Sequence, residues 1–244
     1  MTTVVISQPM YFPWVGLLEQ IRLAQVFVQY DDVQFEKGGV FNRIQIKTPH
    51  GIRWLTVPLR DRHVDQKINE VLIDNRQDWR SQHVAILKQA YASAPYFKDM
   101  LALVEGVFAI EAHLLSDLAI NSTTALTRFF TIDKHCTFLR SSEMKILGKS
   151  SKRVLDICLA CNATQYVTGH GASKYLDHTI FEEKQIQVNY MNYQKRAYPQ
   201  LFGDFTPFVS GLDLVANCGQ SGADMICSGT MPWQNYLTQQ SQAP

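Results

Sequence analysis

The sequence predicts an α/β fold: a mostly parallel sheet with flanking helices, a β-hairpin and a helical middle segment, in one domain spanning residues 1–244. Three patterns carry this expectation. Val4-Val5-Ile6 is a short β-branched run that passes straight into a turn crowded with proline and aromatic residues. Thr137 to Leu139, Ser150 to Cys161 and Thr164 to Thr168 read as strand, helix and strand, a crossover that joins parallel neighbours. From Asp78 to Phe130, apolar residues recur at helical spacing.

In chain order, the first strand is followed by the turn Gln8 to Gly16, a helix over Leu17 to Ala24, and a strand, Val26 to Tyr30, that stops at Asp31-Asp32. Phe41 to Lys47 and Arg53 to Val57 flank Thr48-Pro49-His50-Gly51, whose proline and glycine mark a hairpin turn. Val71-Leu72-Ile73 is a further short strand, closed by Asp74-Asn75. The helical segment, an insertion at about residues 78–130, runs through Trp79, His83, Leu87 and Tyr91, breaks at Pro95, and resumes through Leu101, Val104, Phe108, Leu115, Leu118 and Leu126. Ile186 to Tyr190 reads as a strand, Leu212 to Asn217 as a short helix and Gln239 to Pro244 as a frayed tail.

At 244 residues and 46% hydrophobic, the chain has enough apolar surface to bury a sizeable core. Its 23 basic and 22 acidic residues leave a formal charge of +1, which offers no field to draw in nucleic acid or an anionic membrane. No run approaches the roughly 18 to 20 apolar residues that cross a bilayer, so no membrane insertion is expected. Five scattered cysteines make no disulfide framework, and Met1-Thr2-Thr3 opens without a signal segment; the expected location is cytoplasmic. Cys158 and Cys161 have metal or redox spacing but lie in a helical pattern with Val154 and Ile157, where small buried side chains are the better reading; no metal site is expected.

Candidate functional residues gather at strand ends, where α/β proteins hold ligands. In the turn, Gln8 brings a side-chain amide, Tyr11 and Trp14 aromatic surface, and Gly16 a permissive backbone before a helix; the aromatic residues equally suit a core cap. The segment resembles the nucleotide-binding turn of nucleotidylyltransferases but lacks that family's two phosphate-motif histidines. Asp32 is a candidate general base or cation partner, although one of two adjacent carboxylates can simply close a turn. Asn42, Arg43 and Lys47 offer donors for a phosphate or carboxylate. Lys149, Ser150 and Arg153 open a helix, where hydroxyl, amides and cations suit an anion; Ser150 equally suits an N-cap. Gly169-His170-Gly171 follows a strand, with glycines for close approach and His170 as a second candidate acid or base.

These residues together resemble the WbqC-like family over nearly the whole chain. The likeness rests on Gln8-Pro9, Tyr11-Phe12-Pro13-Trp14, Gly16, Asp31-Asp32-Val33-Gln34-Phe35, Asn42-Arg43 and Trp54-Leu55-Thr56-Val57-Pro58. It continues through Ser141-Ser142, Gly169, Tyr175-Leu176-Asp177, Tyr198-Pro199-Gln200, Asp213 and Asn217-Cys218-Gly219, while His170 and Lys195-Arg196 stand outside it. The family occurs in gene clusters for O-antigen and other surface glycans, and the resemblance implies a cytoplasmic step on a nucleotide-linked or lipid-linked sugar.

Three functions follow as expectations. The first is transfer of an acyl or aminoacyl group to a nucleotide-linked amino sugar, with Asp32 as base and Arg43, Lys149 and Arg153 on the diphosphate. The second is ATP-dependent carboxylate activation or nucleotidylyltransferase-like chemistry, and the third a glycan-intermediate binding protein without chemistry. The expected partner is a small molecule, a homo-oligomer is compatible with the sequence, and no residue pattern names a cofactor.

Overall fold

The computed structural model describes residues 1–36 and 39–242. The elements in chain order are β1 (Thr3–Ser7), α1 (Val15–Leu23), β2 (Val26–Gln29), β3 (Arg43–Thr48), β4 (Gly51–Thr56), β5 (Leu59–Arg60), β6 (Leu72–Ile73), α2 (Trp79–Tyr91), α3 (Phe97–Phe108) and α4 (Leu115–Phe129). They continue with β7 (Thr137–Arg140), α5 (Ser141–Met144), α6 (Ser150–Ala160), β8 (Gln165–Thr168), α7 (Thr179–Glu182), β9 (Gln187–Asn192), α8 (Gly211–Cys218), β10 (Gly229–Pro232) and α9 (Trp233–Gln242).

A six-stranded sheet in the order β10-β9-β8-β1-β2-β7 organises the molecule. All neighbours are parallel except the edge strand β10, which runs antiparallel to β9. Strand residues alternate between two apolar faces. Val5, Phe27 and Val167 join one cluster with α1, α2, α3, α4 and α8. Val4, Ile6, Val28, Tyr166 and Val188 join the other, with α6, α7 and α9. The helical middle therefore packs onto one face of the sheet, and the break at Pro95 separates α2 from α3. The strand order reverses at β1: the chain leaves it for β2 and β7 on one side, and returns through α6 to β8 on the other. A crevice outside the carboxyl ends of β1 and β8 is where such a sheet presents ligands.

The predicted hairpin is β3 and β4, paired from Arg43 with Thr56 to Thr48 with Gly51, and Gly51 takes φ of 101° at the turn. One expectation is corrected, and two features had no signal in the sequence. Gly169 leads straight into a 3₁₀ helix at His170–Lys174. Strand β10 was not visible in Gly229-Thr230-Met231-Pro232, a poor strand sequence that forms because β9 supplies a ladder. The expected frayed tail is helical through Gln242, since Tyr236 stacks on Tyr190 and Trp233 on His178 and so anchor α9; Ala243 and Pro244 lie outside the described residues. Among the described residues, no helix is long and apolar enough to cross a membrane.

Candidate functional site

The turn after β1 is held from several directions. Phe12 is fully buried with φ of 34°, a left-handed conformation that costs a bulky residue about 1–3 kcal/mol. Its N–H donates to Ser122 Oγ on α4 (2.8 Å), and its carbonyl accepts from Ser210 Oγ just before α8 (2.7 Å). Tyr11 N–H reaches the Phe41 carbonyl, Gly211 N–H the Pro13 carbonyl, and Thr123 Oγ1 the Met10 carbonyl. Neighbouring elements thus fix a strained backbone and aim what it carries. Tyr11 is buried, with its hydroxyl 3.0 Å from His83 Nδ1. Burial pulls His83 down to about 4, so that imidazole stays neutral near pH 7, and burial pushes the Tyr11 phenol far up. Tyr11 is therefore a support for the site. Gln8, at the end of β1, is half-buried and its side chain hydrogen-bonds to no described residue. Trp14 flanks the start of α1 half-exposed, and only glycine fits at position 16, because a Cβ there would lie 2.2 Å from the Trp14 ring.

Trp14 opens a line of aromatic contacts across the carboxyl edge. Its ring lies 5.2 Å from Tyr193, Tyr193 lies 5.1 Å from His170, and His170 lies 4.8 Å from Tyr236. Gly169 is approached by Tyr193 Oη and Gln20 Nε2, at 3.4 and 3.5 Å from where a Cβ would stand, and Gln20 donates to Tyr193 Oη at 2.8 Å. His170 is exposed, with Nε2 2.7 Å from the Met191 carbonyl. A carbonyl only accepts, so in the neutral ring Nε2 carries the hydrogen and Nδ1 keeps its lone pair. Gly171 is exposed, and no side chain or backbone approaches it.

The two aspartates lie at the carboxyl end of β2. Asp31 is fully buried and accepts from Ser142 N–H (3.0 Å), Ser142 Oγ (2.8 Å) and Ser141 Oγ (3.2 Å), tying β2 to the start of α5. Asp32 accepts from Ser141 Oγ and from Arg153 Nη2, each at 2.5 Å. Burial alone would raise the Asp32 carboxyl, but these hydrogen bonds and the guanidinium charge outweigh it and hold the group below the usual range. An ionised carboxylate committed to an arginine is a poor proton acceptor near neutral pH. Arg153 is also held by the Ile146 carbonyl and lies over the Tyr30 ring, whereas Lys149 and Ser150 are exposed. The structure thus pairs Asp32 with Arg153 and leaves Lys149 and Ser150 apart from them. Ser150 makes no side-chain cap; it is the first residue of α6, with φ of 54°.

On the hairpin, Asn42 Nδ2 donates to the Val57 carbonyl, and the Arg43 guanidinium stacks on Trp54 at 4.5 Å. Arg43 borders a groove of about 300 Å³ that also takes in Trp14, Gln45, Trp54 and Phe208. On its other side lies a hollow of about 280 Å³ with Asn42, Thr56 and Arg62.

Lys47, read from the sequence as a donor for an anion, is instead committed inside a buried polar network that the sequence did not reveal. Lys47, 5% exposed, donates to Gln200 Oε1 (3.3 Å) and to the carbonyls of Gly203 (3.4 Å) and Asp204 (2.7 Å), clamping the segment 200–204 onto the hairpin. Asp213 is fully buried and accepts from Tyr91 Oη (2.9 Å) and Asn217 Nδ2 (3.2 Å). Burial raises its carboxyl, while the Tyr91 hydrogen bond and the Lys47 charge pull the other way. Lys47→Met keeps the aliphatic stem but strands the carbonyls and removes a buried counter-charge. The expected loss is about 3 kcal/mol, which for a chain of this size lowers the calorimetric midpoint by about 6–12 °C. A midpoint within 2 °C of wild type, about half a kcal/mol, would show that the clamp carries no stability.

Comparison with known proteins places the chain in a family. The chain is 34% identical over 229 residues to a protein of Mycobacterium tuberculosis (strain ATCC 25618 / H37Rv) described as "Uncharacterized protein Rv1507c", covering 93% of this chain and 98% of that one. No solved structure matches it significantly. A model of the WbqC-like protein family matches residues 8–225, from the amide at the end of β1 through the aromatic turn, the paired aspartates and Asp213 to the segment before β10, and the chain belongs to that family.

Proposed function

We propose that the protein is a transferase that adds an acyl or aminoacyl group to an amino sugar carried on a phosphate-bearing carrier such as a nucleotide, as a step in making a surface glycan. The observation that carries this reading is His170 beside the strand-order reversal, with Nε2 committed to the Met191 carbonyl and Nδ1 left as an acceptor next to an aromatic wall. The role of proton acceptor then passes from Asp32, which is held by Arg153, to His170. As the sugar nitrogen attacks the donor carbonyl, a C–N bond forms, the bond to the donor's leaving group breaks, and His170 Nδ1 takes the amine proton. Gln8 and Gly169, at the ends of β1 and β8, offer a side-chain amide bonded to no described residue and close backbone approach for orienting the sugar. Asp32 and Arg153 hold the end of β2 and the start of α6 in place around it.

Incubation with nucleotide-linked amino sugars and acyl-thioester or aminoacyl donors, followed by mass spectrometry, is expected to show a sugar that has gained the mass of the transferred group. No mass gain across a broad set of both substrates would rule the reading out.

A further inference from the structure

We infer that the two hollows meeting at Arg43 form one site for a glycosyl phosphate, with the sugar ring in the aromatic groove and the phosphate in the hollow beside Arg62. The inference deepens the transferase reading and rests on it for the direction in which the sugar points. In an antiparallel hairpin, residues in register share a face, so the pairs Arg43 with Thr56 and Gln45 with Trp54 put all four on one side. The opposite side, with Ile44, Ile46 and Leu55, is buried in the core. That leaves an outward tile of guanidinium, hydroxyl, amide and indole, the groups that a phosphate and a sugar require.

The two halves of the tile differ in character. The groove of about 300 Å³ lies between Trp54 on the hairpin and Trp14 with Phe208 opposite, and Trp54 and Phe208 are 41% and 55% exposed. Large aromatic side chains left open to water in one concave place mark a binding surface. A pyranose presents apolar C–H faces to such rings and hydroxyls at its rim, where the Gln45 side chain, hydrogen-bonded to no described residue, can read them. The hollow of about 280 Å³ is mixed, with Asn42, Thr56 and Arg62 set among Phe35, Val57, Pro58 and Leu59. Arg62 is exposed and forms no ion pair with a described residue. Among the described residues, no carboxylate lines either space, so the charge suits an anion.

The order of these parts orients the ligand. A phosphate at Arg62 and a ring against Trp54 turn the ring edge opposite the anomeric carbon toward Trp14. From Trp14 the line of rings runs through Tyr193 to His170.

Titration calorimetry with glucose 1-phosphate, inorganic phosphate and methyl glucoside tests the site. Glucose 1-phosphate is expected to bind at least about 10-fold more tightly than either fragment, since charged hydrogen bonds and ring stacking add. Arg62→Gln should weaken glucose 1-phosphate and inorganic phosphate alike by about 10-fold, the size of one charge-assisted contact. Trp54→Leu should weaken the sugar phosphate and leave inorganic phosphate unchanged. Both positions are exposed, so unchanged thermal midpoints will report an intact fold. Equal affinities for glucose 1-phosphate and phosphate, or an indifferent response to both substitutions, would overturn the assignment. Failure of acyl transfer with these binding results intact would count against the transferase reading alone. Acyl transfer with a KM unmoved by either substitution would count against this site alone.

Discussion

Arg153→Met is expected to cost about 3–5 kcal/mol, the usual effect of removing one partner from a buried ion pair. In a chain of 150–250 residues that lowers the thermal midpoint by roughly 6–20 °C. The side chains are 7% and 16% exposed, so water screens the pair far less than a surface bridge. Methionine fills much of the volume but leaves Asp32 ionised with Ser141 Oγ as its remaining donor. The pH dependence has a definite sign. The folded-state value of Asp32 lies below its ordinary 3.8, so its contribution is fully present above that value and is lost as pH falls through the lower folded value. The difference between wild type and Arg153→Met should be constant from neutral pH down to about 5 and shrink in stronger acid. Adding Asp32→Leu should recover part of the loss, because the stranded carboxylate is then gone. Calorimetry of the two variants across pH decides the matter, and a midpoint within about 2 °C of wild type would mean that the pair is energetically idle.

His170→Asn should slow product formation by about 100- to 10,000-fold, the range that a positioned general base supplies. Single-turnover mass spectrometry with saturating donor and amino sugar isolates the chemical step. Affinity for glucose 1-phosphate should change little, because two aromatic contacts separate His170 from the groove. His170 is exposed, and its fixed partner is a main-chain carbonyl, so the fold should survive the change. A rate within about threefold of wild type, well short of what a general base contributes, would remove His170 from the chemistry. A parallel loss of affinity would make it a binding residue instead.

The main sheet was largely legible because its signals are local. Val4 to Ile6, Val26 to Val28 and Tyr166 to Val167 are β-branched and aromatic runs, and burial on both faces of a parallel sheet demands such runs. The middle helices were legible from their periodicity, and the hairpin from Pro49 and Gly51. Strand β10 and helix α9 were not, because Gly229 to Pro232 and the polar run after Trp233 have no pattern of their own. They form where β9 offers a ladder and where Tyr190 and His178 offer rings. The candidate site divides in the same way. Trp14 and Arg43 could be named from their place at strand and hairpin ends, but that Arg43 stacks on Trp54 depends on the register of β3 and β4.

The sequence by itself determined the alternation that builds a two-faced sheet, the aromatic turn between β1 and α1, and the kinds of side chain available at the carboxyl edge. Those follow from spacing along the chain, which any segment carries within itself. The tertiary structure alone decided what each charged group does. Asp32 and Arg153, 121 residues apart, hold each other, and Lys47 closes on carbonyls 156 and 157 residues away. His170 takes its tautomer from a carbonyl on a neighbouring strand. Whether a carboxylate is a base or a strut depends on the atoms within about 4 Å of it, and proximity in space is what folding supplies and residue order does not.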